Sequence, residues 1–268
     1  MPLQKLFIST CQAPNSEFLC RDLAPLLSRS LGIPVEARLD IPWQERERLL
    51  DVGEISLCWI CGLPYVRKAD QDSPGVRPLV APVMSAPRYQ ELPVYFSDVV
   101  VRKDSRFKIW EDVGGAAWAY NEPGSHSGYN VVRSELARRG KPSGFFGRVL
   151  ESGSHQNSLR MILDHEIDAS AIDSTVLELE LLNDPELRNQ IRIIDSFGPS
   201  PIPPWVTSTN LPAELQTALQ DFFLGLAGEP SGRAVLDRAQ ISHFVTVGDQ
   251  DYDPIRTMVK LAQDVRMD

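Results

Sequence analysis

Strand patterns and helix patterns alternate through most of this chain of 268 residues. Short runs rich in β-branched residues are typical of strands, and apolar residues three or four positions apart are typical of helices. Strands are predicted at residues 5–9, 35–39, 55–60, 94–102, 116–120, 147–150, 169–172 and 191–194. Helices are predicted at residues 16–31, 43–50, 129–139, 175–182 and 213–226, with a further one around Leu159. This alternation predicts βαβ units, and therefore an α/β fold with a largely parallel sheet.

Glycine and proline mark where several of these elements end. Gly32 ends the first predicted helix, and residues 62–65 are predicted to form a turn after a buried strand. The Pro-rich segment 198–204 is predicted to be a chain crossing rather than a disordered linker, because apolar Ile202 and Trp205 lie within or beside it. A mixed tail follows the helix at residues 213–226.

The charge balance bears on possible partners. The net charge is −9, from 27 basic and 36 acidic residues. Because binding to nucleic acid independent of sequence relies on Lys and Arg neutralising phosphates, this composition argues against nucleic acid as a partner. A small anion is still compatible with an acidic chain, since a few backbone N–H groups and hydroxyls can hold it locally.

No stretch of the sequence approaches the ~18 apolar residues of a membrane helix, so no membrane insertion is predicted. The N-terminal residues lack the apolar core of a signal peptide. As it stands, the sequence is expected to be cytoplasmic, or periplasmic if a leader was removed.

The four cysteines all lie in the first quarter of the chain, at Cys11, Cys20, Cys58 and Cys61. The CxxC spacing of the last two is found in redox and zinc sites, but the pair lies in an apolar run without a second CxxC. We predict that these cysteines are buried as small apolar side chains. The histidines form no HxH or HExxH pattern, and no metal site is predicted.

Three polar turns each separate a predicted strand from a predicted helix. They lie at residues 125–128, 153–155 and 173–174. In open α/β sheets, ligands bind beyond the carboxyl ends of strands and beside helix N-termini. Ser125 and Ser127 add hydroxyl donors to the free N–H groups there, and Gly128 permits a close approach of the backbone. The turns therefore predict an anion site, although each serine alone could simply be an N-cap.

Catalytic motifs are not encoded at these turns. Residues 124–128 have His126 where a nucleophile elbow has serine, and no Lys follows as in a phosphate-binding P-loop. His155 and Asp173 could form an acid/base pair, or His155 could donate a hydrogen bond to a bound oxyanion.

Several segments carry a resemblance to a known family. They are YFSDVVVRKD at 95–104, NEPGSHSGY at 121–129, SGSH at 152–155, DASAIDS at 168–174 and YDPIR at 252–256. The chain resembles the phosphate-, phosphite- and phosphonate-binding proteins that serve ABC importers and have the type II periplasmic binding protein fold.

The resemblance implies two Rossmann-like lobes joined by two crossing strands. Lobe I would comprise residues 1–96 and 200–268, and lobe II residues 97–199. A small oxyanion would bind in the cleft between the lobes, which would close over it by a hinge motion. The resemblance also implies a monomer, with an ABC permease or a sensor protein as partner and no cofactor.

The same resemblance implies the ligand-binding residues. They are Ser125, His126, Ser127, Gly128, His155 and Asp173, with Trp59, Tyr65 and Tyr95 as walls of the pocket. A carboxylate at Asp173 would repel a fully ionised anion, so we expect the site to select an oxyanion that keeps a proton, such as phosphite, phosphate or a phosphonate, over sulfate.

Two departures from the family keep an alternative open. His126 stands where the family often has threonine, and no export signal is visible. The alternative is a cytoplasmic sensor or an enzyme on the same fold, such as a protein that makes a pyrimidine precursor of thiamine. No Lys lies in the three turns to bind a pyridoxal cofactor.

Overall fold

The computed structural model describes residues 5–141 and 143–267, so the N-terminal residues 1–4 considered above for a leader lie outside it. The chain divides into two compact units. Unit 1 comprises Met1–Val94 and Pro201–Asp253, and unit 2 comprises Tyr95–Ser200 and Pro254–Asp268.

The helices and strands follow one another in both units. The first segment contains β1 (Leu6–Thr10), α1 (Glu17–Leu31), β2 (Val35–Ala37), α2 (Trp43–Asp51), β3 (Leu57–Trp59), α3 (Gly62–Ala69) and β4 (Val76–Met84). The second contains β5 (Val94–Arg102), β6 (Ala117–Tyr120), α4 (Val131–Arg138), β7 (Arg148–Glu151), α5 (His155–Leu163), β8 (Ala169–Asp173), α6 (Ser174–Asn183), α7 (Leu187–Gln190) and β9 (Ile191–Pro201). The last contains β10 (Trp205–Ser208), α8 (Ala213–Gly225), α9 (Pro230–Arg238), β11 (Ile241–Thr246) and α10 (Asp253–Leu261). No helix of the described residues is long and apolar enough to cross a membrane.

Each unit is built on one mixed sheet. The described strands of unit 1 are ordered β11-β4-β10-β3-β1-β2, and those of unit 2 are ordered β7-β6-β8-β5-β9. In unit 1, β1 runs parallel to β2 and β3, whereas β10 runs antiparallel to both β3 and β4. In unit 2, β6 runs parallel to β7 and β8, whereas β5 runs antiparallel to β8. The expected α/β class is therefore confirmed, but the sheets are mixed rather than largely parallel, since apolar periodicity does not encode strand direction.

The sheet of unit 2 is covered by apolar side chains on both faces. Val99 and Val101 of β5 pack into a core with Trp110 and Trp118, whereas Val100 between them packs into a second core with Ile162. Strands buried on both faces read as continuous apolar runs, which explains why the β5 sequence is so readily predicted.

The turn predicted at residues 62–65 is wrong, because α3 begins at Gly62. Pro64 lies in the first turn of this helix, where backbone N–H groups have no partner within the helix, so its missing N–H costs little. The preceding strand is correspondingly shorter than predicted, at Leu57–Trp59.

The C-terminal segment differs from the expected lobe assignment. Residues 254–268 were expected in lobe I with residues 200–253, whereas they group with unit 2. Arg133 of α4 donates hydrogen bonds to the carbonyl oxygens of Ala262 at 2.6 Å and Val265 at 2.9 Å. Met258 and Val265 also pack into the core around Trp110. These contacts join residues about 130 positions apart, which periodicity cannot reveal.

Candidate functional site

The turn after β6 is tied together by its serines. Ser125 is the N-cap of a short π-helical turn, His126–Asn130, that leads into α4, and its Oγ accepts a hydrogen bond from Gly128 N at 3.0 Å. Ser127 Oγ lies 3.5 Å from Ser125 Oγ, and both side chains are buried. Helix N-termini carry free N–H groups and a partial positive charge, and single π-turns are frequent at functional sites.

Gly128 permits a close approach, but the approaching groups belong to the protein itself. A Cβ at this position would lie 2.1 Å from Asn121 Oδ1 and 3.2 Å from His155 Cε1. The glycine thus allows Asn121 and His155 to pack directly against the turn. Asn121 Oδ1 is buried and has no hydrogen-bond partner among the described residues.

His155 links the second turn to the first. It is the first residue of α5, whose N-cap Ser154 accepts a hydrogen bond from Asn157 N at 3.1 Å. His155 Nε2 lies 3.1 Å from Ser127 Oγ, whereas its Nδ1 is buried without a partner in the described part of the chain. Burial lowers the pKa of His155 to about 4, so the imidazole is neutral at pH 7 and carries one donor and one acceptor nitrogen.

Asp173 ends β8 and caps α6 at the third turn. Its Oδ1 accepts hydrogen bonds from Thr175 N at 2.8 Å and Thr175 Oγ1 at 2.7 Å. Burial raises the pKa of Asp173 to about 6; the hydrogen bonds from Thr175 lower it, and the charge of Asp98 raises it further. Ser97 is the register partner of Asp173 on β5, and its Oγ is buried without a partner among the described residues.

His126 holds the first turn in place from within the core of unit 2. Its side chain is fully buried, with Nδ1 3.2 Å from Asn130 Nδ2 and Nε2 3.3 Å from Ser200 Oγ. Because an amide nitrogen only donates, Nδ1 is the acceptor and Nε2 carries the proton that it donates to Ser200. Burial lowers the pKa of His126 to about 3, which keeps the ring neutral. With both nitrogens engaged, the ring anchors the turn. Tyr95 is also buried, with its ring centroid 6.4 Å from that of His126.

Two of the predicted wall residues belong to unit 1. Trp59 Nε1 donates to Pro203 O at 2.9 Å, and its ring stacks on Trp205 with a centroid distance of 5.8 Å. Tyr65 Oη donates to Asp249 Oδ1 at 2.7 Å. The other predicted residues lie in unit 2, and they are Tyr95, Ser125, His126, Ser127, Gly128, His155 and Asp173.

The structure places further polar residues at the turns, beyond those expected from the sequence. Asn121 occurs within the segment at 121–129 that carries the family resemblance, so its position beside the turn was open to inference. Ser97 would have required the register of β5 on β8, and Ser200 lies in the Pro-rich segment, where nothing marks it as the partner of His126.

The possible acid/base pair is not formed. In the described part of the chain, no hydrogen bond joins His155 to Asp173, since His155 contacts Ser127 and Asp173 contacts Thr175. The described residues also contain no group of three or more His, Cys, Asp or Glu side chains that could hold a metal ion.

Comparison with known proteins gives one consistent result. The sequence model of a family described as the periplasmic substrate-binding protein of phosphonate ABC transporters matches residues 7–252. The phosphonates-binding periplasmic protein of Escherichia coli (strain K12) is 25% identical over 237 residues, which cover 87% of this chain and 68% of that protein.

Solved structures show the same fold. A binding protein component of an ABC phosphonate transporter from Pseudomonas aeruginosa has a TM-score of 0.84 at 21% identity, covering 97% of this chain and 86% of the other. PhnD1 from Prochlorococcus marinus (MIT 9301), solved in complex with methylphosphonate, has a TM-score of 0.83 at 16% identity, covering 98% of this chain and 99% of the other. The type II periplasmic binding fold expected from the sequence is confirmed.

Proposed function

The chain belongs to the family of periplasmic substrate-binding proteins of phosphonate ABC transporters, and we propose that it captures a phosphonate-type oxyanion at the three polar turns of unit 2. This family consists of substrate-binding proteins and not of enzymes. His126, the departure that kept the alternative of an enzyme on the same fold open, has protein partners on both ring nitrogens.

The observation that carries the proposal is the hydrogen-bonded series from Ser125 through Ser127 to His155. These buried side chains come from two helix N-termini, and the series ends at a ring nitrogen without a protein partner. Hydroxyls, a neutral imidazole and helix N–H groups together bind an anion without a buried countercharge. Buried polar groups normally have partners, so an unpartnered one beside a helix N-terminus is a good candidate for a ligand contact.

Asp173 supplies the proposed selectivity for a protonated ligand. In a buried environment, a carboxylate repels a fully ionised oxyanion but accepts a hydrogen bond from a P–OH group. Phosphonate, phosphite and phosphate carry such a proton near neutral pH, whereas sulfate does not. The raised pKa of Asp173 supports this role. Burial makes the ionised carboxylate costly, and a hydrogen bond donated by the ligand would stabilise that ionised form.

Family membership also supports a protein partner and a compartment. We propose that the chain works in the periplasm and delivers its ligand to an ABC permease. We further propose that it acts as a monomer, as the family resemblance implies.

Calorimetric titration of the purified protein with methylphosphonate, phosphite, phosphate and sulfate tests this function. We expect binding of the phosphorus oxyanions and at least about tenfold weaker binding of sulfate, the equivalent of about 1.4 kcal/mol. In Asp173→Asn, the preference over sulfate should shrink, because an amide can donate to an unprotonated oxygen. Asp164→Asn, at the exposed end of α5, is the matched control. Tight sulfate binding that Asp173→Asn leaves unchanged would refute the role of Asp173, and no binding of any phosphorus oxyanion would refute the function.

A further inference from the structure

Two cysteine thiols of unit 1 lie in contact. Cys58 is buried in β3, and Cys11 follows β1 with its side chain partly exposed. Their Sγ atoms are 3.9 Å apart. The pair is thus Cys11 with Cys58, rather than the CxxC pair of Cys58 with Cys61.

The strand register explains the contact. Ser9 of β1 is paired with Cys58 of the parallel strand β3, and Cys11 lies two positions further along. Because side chains alternate between the faces of a sheet, Ser9 and Cys11 point to the same face as Cys58. Cys11 lies just beyond the last residue of β1, and its backbone N–H still donates to Trp59 O of β3 at 2.9 Å, which keeps Cys11 beside β3.

We propose that Cys11 and Cys58 form a reversible disulfide by exchange with a small-molecule disulfide such as oxidised glutathione. A disulfide requires a sulfur–sulfur distance of about 2.05 Å. Side-chain rotation and a small shift at Cys11 must therefore shorten the present distance of 3.9 Å between the two Sγ atoms. The periplasm, in which the family works, is an oxidising compartment where disulfides persist. The link would join two neighbouring strands next to Trp59.

The exchange proceeds in two balanced steps. Cys11, the more accessible thiol, loses its proton and attacks one sulfur of the small-molecule disulfide, forming a mixed disulfide and releasing one thiol. Cys58 then loses its proton and attacks Cys11 Sγ, which forms the protein disulfide and releases the second thiol. Two protein thiols are oxidised and one small-molecule disulfide is reduced. The order follows exposure, and burial raises the pKa of the Cys58 thiol well above its usual range, which makes it a poor first nucleophile.

Cys20 and Cys61 serve as internal controls. Cys20 is fully buried in α1, and burial raises the pKa of its thiol. Cys61 is the N-cap of α3, outside β3. Neither is expected to take part in the link.

The test is thiol mapping of the purified full-length protein. The protein is incubated with oxidised glutathione, quenched in acid, unfolded, alkylated with iodoacetamide and digested for mass spectrometry. We expect the peptides of Cys11 and Cys58 to be joined, with alkylation only at Cys20 and Cys61, and dithiothreitol to restore four alkylated thiols. The oxidised protein should also have a Tm several degrees higher, because the link closes a loop across 47 positions.

Variants separate the outcomes. Cys11→Ser should abolish the link, and Cys58→Ala provides the same test without placing a hydroxyl in the core. Cys20→Ser and Cys61→Ser should retain it. Four alkylated thiols after oxidation, glutathione retained on Cys11 without closure, or a link that includes Cys20 or Cys61 would each overturn the proposal. None of these outcomes depends on the ligand, so the result is independent of the proposed function.

Discussion

The predicted pocket walls in unit 1 and the polar turns of unit 2 differ in how their buried polar atoms are paired. In unit 1, the indole N–H of Trp59 and the hydroxyl of Tyr65 are matched to Pro203 O and Asp249 Oδ1. In unit 2, His155 Nδ1 and Asn121 Oδ1, beside the first two turns, have no partner among the described residues. A buried polar group without a partner costs about 1–3 kcal/mol of stability. Such groups at helix N-termini are therefore better explained as ligand contacts than as structural contacts. We therefore expect substitutions of Trp59 and Tyr65 to act mainly on stability, and those at the turns of unit 2 mainly on affinity.

The largest expected effect on stability belongs to His126. It is the exception within unit 2, because both of its ring nitrogens have protein partners. Its folded-state pKa of about 3 lies below the usual 6.5, so the stability that it contributes is present above pH 6.5 and is lost as the pH falls towards 3. At about 1.36 kcal/mol per pKa unit, the loss amounts to as much as about 5 kcal/mol. Asp173 opposes this trend, because its raised pKa favours the folded state as the pH falls from about 6 to 3.8.

Urea unfolding between pH 7 and pH 3.5 measures this effect. His126→Gln should flatten the acid loss of stability, and His165→Asn, at an exposed position with φ of 61°, is the control. An unchanged pH slope in His126→Gln would contradict the structural role assigned to this residue.

Trp59→Ala tests unit 1. Removing a buried tryptophan that stacks on Trp205 should lower the free energy of unfolding by about 3–5 kcal/mol. Chemical denaturation measures this loss, with Leu224→Ala, at a side chain that is 41% exposed, as the control. If Trp59→Ala abolished ligand binding at unchanged stability, the contrast between the units would fail.

His155→Ala tests unit 2 in the opposite sense. The variant removes the contact with Ser127 and the unpartnered Nδ1, so the Kd for methylphosphonate should rise about 30- to 100-fold, or about 2–3 kcal/mol. Calorimetry measures the Kd and thermal unfolding measures the stability, with His243→Ala in unit 1 as the control. Unchanged affinity with a large loss of stability would reverse the assignment.

Tyr65→Phe has the smallest expected effect on stability. It deletes only the hydroxyl that donates to Asp249, and the lost hydrogen bond should cost about 1 kcal/mol of stability. The affinity for methylphosphonate should stay within about twofold, less than 0.5 kcal/mol. A tenfold weaker Kd at unchanged stability would instead make Tyr65 a ligand contact, as its expected place in the pocket wall implies.

Most of the regular structure was predictable where local patterns and burial agree. The β5 run is buried on both faces, so its bounds were predicted at Val94–Arg102. The start of α3 was missed because Pro64 in a first helical turn has the same local signature as a turn. The strand β4 and the elements α9, β11 and α10 were not assigned. Two prolines interrupt the apolar run of β4, whereas α10 was missed although its buried residues Ile255 and Met258 follow helical spacing.

Sequence alone was enough to identify the polar strand–turn–helix segments, the capping roles of Ser125 and Ser154, and the family, because capping and turn chemistry act within a few residues. At the third turn the cap is Asp173 and not the serine that follows it, Ser174. Tertiary structure alone decided which nitrogen of His155 meets Ser127, that His126 is satisfied by Ser200, and that residues 254–268 belong to unit 2. These contacts depend on strand register and on side chains many positions apart, and packing selects among them only once the chain has folded.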